Sequence, residues 1–299
     1  MNSDRPLRVG LIGVNTSHAS AFARVINANG FAAARLTWVW GGAVRADQPD
    51  ASTLAEAFGI ERIATMPNEF IQDTDLVLIV DDTGGGASHF GLAKPFIEAG
   101  VPTFIDKPMT VDLDQAFAIF DLAAAFGTPV MSSSALRHSG ELAGAMPQIR
   151  SLGDVSTVVC VGPGDWYYYG IHTVELLVAA IGSGVAEVRQ FSEPDRDITT
   201  LRFDRPGPTA VILTLRDAHP TFGLTVYGAH DVVRVDVRSA DTMYRNQMAD
   251  ALRMAETRTA PLAASETLEI LGILHAGRQS AQGGGEAVEL AEVLGLAAR

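Results

Sequence analysis

The chain has 299 residues, 47% apolar and 19% charged, so it is long enough for two modest domains with ordinary cores and is not a disordered tail. Its 35 acidic and 22 basic side chains leave a net charge of −13 with no concentrated basic patch, which excludes nucleic acid as an expected partner. One cysteine, Cys160, excludes an internal disulfide framework and fits a reducing cytoplasm, and no apolar run nears the ~20 residues that span a bilayer.

The first 133 residues alternate between two patterns. Short β-branched or apolar runs at 7–13, 36–40, 76–81, 103–105 and 130–132 predict strands, and helical periodicity at 19–29, 51–58, 90–99 and 113–126 predicts helices. Such alternation builds βαβ units and a parallel sheet. Asn29-Gly30, Ala99-Gly100 and Phe126-Gly127 each close a helix with a residue that tolerates positive φ. The unbroken run Leu76-Val77-Leu78-Ile79-Val80 predicts a strand covered on both faces.

After Ser134 the pattern changes. Helices are predicted at 140–149 and 171–180, with a strand at 155–161 between them. Alternating runs at 185–191, 199–203, 210–215, 221–227 and 232–237 follow, separated by turns such as Asp204-Arg205-Pro206-Gly207-Pro208 and Gly228-Ala229-His230-Asp231. Strands joined by short turns predict a largely antiparallel sheet, and Val211, Leu213 and Leu215 fill only one of its faces, which leaves the other for a subunit interface. Helices at 242–256 and 265–280 either cover this sheet or return to the first domain. Gly283-Gly284-Gly285 reads as a loop. The expected class is α/β: a doubly wound parallel sheet over residues 1–133, then an α+β domain over 134–299 with an open, largely antiparallel sheet.

The first strand runs into Gly13-Val14-Asn15-Thr16-Ser17-His18 and then a helix. A glycine turn here lets the backbone approach a pyrophosphate lying on the helix N-terminus. Against G-x-G-x-x-G only Gly13 is present; Asn15 and His18 stand at the other two glycine positions, and Thr16 and Ser17 offer hydroxyls. By itself the segment reads equally as an ordinary strand–helix turn. The second strand ends in Trp40-Gly41-Gly42 without the acid that would take the ribose hydroxyls of NAD. Nearby Arg45 suits the 2′-phosphate of NADP, or is an exposed loop arginine. NAD and NADP both stay open.

The strand at 103–105 ends in Asp106-Lys107-Pro108-Met109. Ligands of open α/β sheets bind beyond the carboxyl ends of the strands, so Lys107 emerges where chemistry takes place, on a backbone that Pro108 restricts. Of the 22 bases only Lys94 and Lys107 are lysines, leaving 20 arginines. A lysine pKa can be moved into the working range; that of arginine cannot.

The segment Ile97-Glu98-Ala99-Gly100-Val101-Pro102-Thr103-Phe104-Ile105-Asp106-Lys107-Pro108 resembles the glucose–fructose oxidoreductase / inositol dehydrogenase / MocA (Gfo/Idh/MocA) family. That family carries Glu-Lys-Pro at this place after a helix–Ala-Gly-x-x–strand; here Asp106 replaces the glutamate. His89 is similar to the histidine that opens the preceding helix. In the second domain, Tyr167-Tyr168-Tyr169-Gly170-Ile171-His172-Thr173-Val174-Glu175 resembles the segment where family dehydrogenases place an Asp and a His four residues apart. His172 holds the histidine position, Tyr168 stands where the aspartate would be, and Glu175 resembles the acid that follows, at a spacing that lets it orient the imidazole. The likeness covers nearly the whole chain in order and length.

The resemblance implies a Rossmann-type first domain binding NAD or NADP and a second domain that binds a small-molecule substrate and forms homodimers or homotetramers through its sheet. The implied reaction is hydride transfer between a nicotinamide and a secondary alcohol or ketone of a sugar, cyclitol or related polyol. His172 would act as general base and Lys107 would polarise the oxygen. Cofactor contacts are expected from Gly13, Asn15, Thr16, Ser17, His18, Arg45, Asp82, Thr83, His89, Asp106 and Lys107. Asp81-Asp82-Thr83, ending a strand, could also bind substrate hydroxyls or be a solvated turn. Ser132-Ser133-Ser134, Arg137 and His138 lie at the domain crossover and could reach substrate, as could Tyr168 and Glu175; Trp166 and Tyr169 offer flat faces for a sugar ring. His219, His230 and His275 lack metal-ligand spacing, so no metal is expected. Cys160 reads as a core residue. The missing glycines at 15 and 18, the missing acid after the second strand and the missing aspartate at 168 also suit a non-catalytic ligand-binding or regulatory protein on this scaffold; a third reading is a net non-redox epimerase or lyase holding its nicotinamide tightly. The opening residues Met1-Asn2-Ser3-Asp4-Arg5-Pro6 carry no signal-peptide pattern, so a cytoplasmic location is expected.

Overall fold

A computed structural model describes residues 5–28, 31–217 and 221–296 of the chain. Two compact units emerge: the chain up to Ser133 with Tyr244–Ala264, and Ser134–Met243 with the chain from Ser265.

The first unit holds β1 (Leu7–Ile12), α1 (Ser17–Ala23), β2 (Ala34–Trp40), α2 (Ala51–Phe58), β3 (Arg62–Ala64), β4 (Leu76–Ile79), α3 (His89–Glu98), β5 (Thr103–Ile105), α4 (Leu113–Phe126) and β6 (Val130–Ser132). The six strands form one parallel sheet in the order β3-β2-β1-β4-β5-β6. Its order reverses between β1 and β4, which makes the crevice beyond their carboxyl ends the expected ligand site. All four residues of β4 are buried, as a strand sandwiched between helix layers requires. Gly100 and Gly127 adopt the positive φ expected where α3 and α4 end, and Gly127 donates its N–H back to Ala123 and Ala124. The helix predicted through residue 29 is α1 continued by a five-residue π turn, Arg24–Ala28; the Asn29-Gly30 turn lies outside the described residues. β3 is an unpredicted strand of three residues.

The second unit contains α5 (Gly140–Arg150), β7 (Val155–Pro163), α6 (Gly170–Ile181), β8 (Val185–Glu193), β9 (Arg196–Phe203), β10 (Thr209–Leu215), β11 (Phe222–Gly228) and β12 (Val232–Val237). The chain continues through α7 (Ala240–Thr257), α8 (Ala264–Gln282), β13 (Val288–Glu289) and α9 (Leu290–Val293). Seven strands form a sheet in the order β12-β11-β7-β10-β9-β8-β13. Every pair is antiparallel except β7 with β10, because β10 arrives beside β7 after the excursion through α6, β8 and β9. One face is buried: Val158, Cys160, Leu201, Ala210, Ile212, Leu224 and Val226, with α6 packed on β7, β10 and β11. Burial pushes the Cys160 thiol up, away from thiolate chemistry.

From Tyr244 onward α7 belongs to the first unit. Met248, Ala251, Leu252 and Met254 recur at helical spacing and join the core of Phe22, Leu36, Leu54 and Leu76. Burial of that stripe is the physical reason why a segment beyond residue 133 packs with the first domain. Among the described residues no helix is long and apolar enough to cross a membrane.

Candidate active site

At the end of β1 the chain turns at Gly13 with φ +97°, and a Cβ there would stand 2.4 Å from the Asp81 Cα beyond β4. Only glycine permits both the conformation and the approach. Thr16 caps α1 by accepting the His18 N–H at 3.4 Å, so its hydroxyl proton is left to donate elsewhere. Ser17 is exposed.

The two residues at the missing glycine positions are engaged within the unit. Asn15 is 4% exposed; its Oδ1 accepts the Asp82 N–H at 2.8 Å and its Nδ2 donates to Thr83 Oγ1 at 3.3 Å. These bonds tie the β1 loop to the β4 loop. His18 likewise turns to β5: its Nδ1 lies 2.6 Å from Asp106 Oδ2, and its ring packs on Phe22 and Tyr244. Burial raises the Asp106 carboxyl, but His18, then Lys107 and His89, overcome this and hold it down to about 2. Burial and the same carboxylate push the Tyr244 phenol up to about 12.

Lys107 follows at 8% exposure, and the peptide to Pro108 is cis. His89 Nδ1 lies 3.2 Å from the Pro108 carbonyl and 3.1 Å from that of Met109. Carbonyls only accept, so Nδ1 carries the proton and clamps the turn that bears Lys107. Among the described residues His89 Nε2 and Asp106 Oδ1 are buried without hydrogen-bond partners. Arg45, half-exposed, bonds Asp47 at 2.8 Å and pairs with Asp82 at 3.6 Å.

In the second unit His172 stands in the first turn of α6. Its Nδ1 is 2.6 Å from Ser134 Oγ, and its ring packs between Tyr169 and Phe222. Ser134 Oγ also accepts the Leu136 N–H at 3.2 Å, which fixes the hydroxyl. Glu175 does not orient the imidazole as its spacing suggested. Its Oε1 accepts the Ser134 N–H at 3.1 Å and its Oε2 the Arg137 Nε–H at 2.6 Å, while Arg137 Nη2 pairs with Glu266 at 2.6 Å. Burial works against the Arg137 charge, and Glu175 and Glu266 more than offset it. Arg137 is therefore a buried strut between two carboxylates, not a free arm for substrate. Trp166 is also withdrawn: it is 4% exposed, its indole N–H donates to the Leu274 carbonyl at 3.0 Å, and its ring lies against Gly170 and Gly277. Tyr169 is exposed and stacks edge-on against Tyr168.

Sequence reasoning missed Ser134 as the partner of His172, and Tyr244 beside His18; 38 residues separate the first pair and no local pattern links either. Among the described residues no group of three His, Cys, Asp or Glu is placed to hold a metal.

Residues 7–134 match the family model described as oxidoreductase family, NAD-binding Rossmann fold. The match to this Gfo/Idh/MocA model covers less than half of the chain. The chain is similar to a myo-inositol dehydrogenase of Streptomyces leeuwenhoekii, 32% identical over 88 residues, which make up 29% of this chain and 26% of that protein. The chain thus spans about a quarter of that relative's length. The fold extends further. A solved structure of a probable dehydrogenase from Thermotoga maritima superposes with a TM-score of 0.83 at 17% identity, covering 96% of this chain and 100% of that one. GenD2 from gentamicin A biosynthesis, solved in complex with NAD, gives a TM-score of 0.82 at 18% identity, with 97% of each chain covered.

Proposed function

We propose that the protein is an NAD(P)-dependent oxidoreductase that moves a hydride between a nicotinamide and a secondary alcohol or ketone carbon of a sugar, cyclitol or related polyol. The observation that carries this reading is Lys107, a nearly buried lysine at the carboxyl end of β5, in a sheet whose Gly13 turn lies at the β1–β4 switch point. The residues present fit a dinucleotide. The Gly13 turn bears no side chain, Thr16 keeps a hydroxyl proton, and Asp106 Oδ1 and His89 Nε2 are buried polar atoms with no hydrogen-bond partner among the described residues. A bound nicotinamide supplies the hydride acceptor or donor.

On this reading His172 takes the substrate hydroxyl proton at Nε2 while its Nδ1–H is donated to Ser134, and Lys107 brings a cation to the oxygen that gains alkoxide character. Gly13, Thr16, Ser17, Thr83 and Lys107 are the proposed cofactor contacts. The second unit would form the homodimer or homotetramer through the open face of its sheet. A thermal-shift panel of NAD, NADP and their reduced forms, followed by a polyol panel with the better cofactor, tests the proposal. Stabilisation and turnover are expected; no binding of any dinucleotide would sink it. Tyr168 and Ser134 provide no carboxylate next to His172, which favours one second reading: a ligand-binding protein that is stabilised by a dinucleotide yet turns over no polyol.

A further inference from the structure

The structure assigns the choice between NAD and NADP to Asp81, which brings to the end of β2 the carboxylate that β2 itself lacks. This rests on the dinucleotide-binding reading above. In a doubly wound sheet an acid closing the second strand accepts the adenosine ribose hydroxyls and repels a 2′-phosphate. Here β2 ends in Trp40 followed by Gly41 and Gly42, with no side chain beyond the indole. Asp81 fills that place from the adjacent strand end. A Cβ built on Gly42 would stand 2.9 Å from Asp81 Oδ2, and one built on Gly13 would stand 2.4 Å from Asp81 Cα. The residue is thus wedged between the phosphate-turn glycine and the glycine after β2.

Its two oxygens are unequally used. Oδ1 accepts the Ser88 hydroxyl at 2.7 Å and the Thr83 N–H at 3.1 Å, which fixes the side-chain rotamer. Oδ2 takes no hydrogen bond among the described residues and borders Gly42, which is exposed. Turn capping needs one oxygen; the second, directed at an exposed glycine, retains its acceptor sites for ribose hydroxyls. The surrounding charges agree. Arg45, the cation suited to a 2′-phosphate, is tied to Asp47 and Asp82, so a phosphate arriving here would meet Asp47, Asp81 and Asp82 around a guanidinium already paired. At 2% exposure the Asp81 carboxylate is weakly screened, which sharpens the discrimination.

Calorimetric titration of the full chain with NAD and NADP, without substrate, tests the assignment. NAD is expected to bind at least about tenfold tighter than NADP, consistent with hydrogen bonds to a charged acceptor. NAD lacking the 2′-hydroxyl of the adenosine ribose is expected to bind about tenfold more weakly than NAD, a comparison that requires no variant. Asp81→Ser keeps one oxygen for the Thr83 turn and removes Oδ2; it should weaken NAD about tenfold and leave NADP no weaker, collapsing the preference. Equal or tighter binding of NADP by the wild type, or equal binding of the 2′-deoxy analogue, overturns the role of Asp81 and leaves the dinucleotide reading standing. Failure of every dinucleotide to bind overturns that reading itself.

Discussion

Asp106 and His18 lie 88 residues apart in sequence and 2.6 Å apart in space, and their contact joins the phosphate-turn helix to the strand end that carries Lys107. The Asp106 carboxyl titrates near 2 in the folded chain against about 3.9 in an unfolded one, so the folded state holds fewer protons across that interval. Its contribution, between about 2 and 3 kcal/mol, is complete above roughly pH 4 and lost as pH falls through about 2. Denaturant unfolding of wild type and Asp106→Asn between pH 6 and 3 should show the wild type losing stability faster on acidification; parallel curves would remove the pair from the account. At His172 the expectation concerns chemistry. His172→Ala should lower kcat by about 10²–10⁴ while dinucleotide affinity stays as it was, as the proposed role in proton transfer requires. Ser134→Ala leaves Nδ1 without its anchor and the Leu136 N–H without its cap, so a melting point lowered by a few degrees is expected together with a fall in kcat of about tenfold at temperatures where the variant is fully folded, which separates tautomer control from folding.

Elements differ in how openly the sequence displays them. The strands β1, β2, β4, β5 and β6 and the helices between them follow from periodicity, since each buries a continuous run or stripe. β3 escapes because Arg62 and Ile63 are exposed and only Ala64 is buried, so an edge strand of three residues has no pattern to read. The parallel β7–β10 pair escapes for a different reason: short turns reveal antiparallel neighbours, whereas this pairing closes across the sheet after three further elements. In the site, Gly13 and Lys107 are legible because their place at a strand end is local information. Asn15, His18 and Ser134 are not, since their roles depend on partners brought from β4, β5 and α6. The β1–α1 turn illustrates the cost of disturbing such a place. Gly13→Ala adds a Cβ against the Asp81 backbone, which cannot swing aside, in a conformation that alanine resists. A loss of roughly 3 kcal/mol, seen as a melting point lowered by about 6–12 °C, is expected. An unshifted melting point would mean that the two loops part easily.

At the scale of the molecule the second sheet presents a face that water should not see. Val159 and Val161 on β7, Val211, Leu213 and Leu215 on β10, and Ile198 on β9 are only half-buried within the chain. The register sets them side by side: Val211 pairs with Val159, and Leu213 stands between Val161 and Ile198. An antiparallel sheet with one solvated face normally alternates apolar and polar along each strand, yet here both faces of β7 and β10 are aliphatic. A contiguous patch of this kind is characteristic of a covered surface, and a second copy of the same sheet, apolar and self-complementary across a two-fold axis, is a fitting cover. The chain is therefore expected to sediment at micromolar concentration as a dimer or tetramer. Replacing Val211 and Leu213 with glutamate sets four like charges against one another across a two-fold contact, whereas a single chain leaves both side chains at its surface. The double variant should sediment as a monomer with unchanged far-ultraviolet dichroism. A monomeric wild type would refute the association, and a double variant that stays associated would move the interface elsewhere.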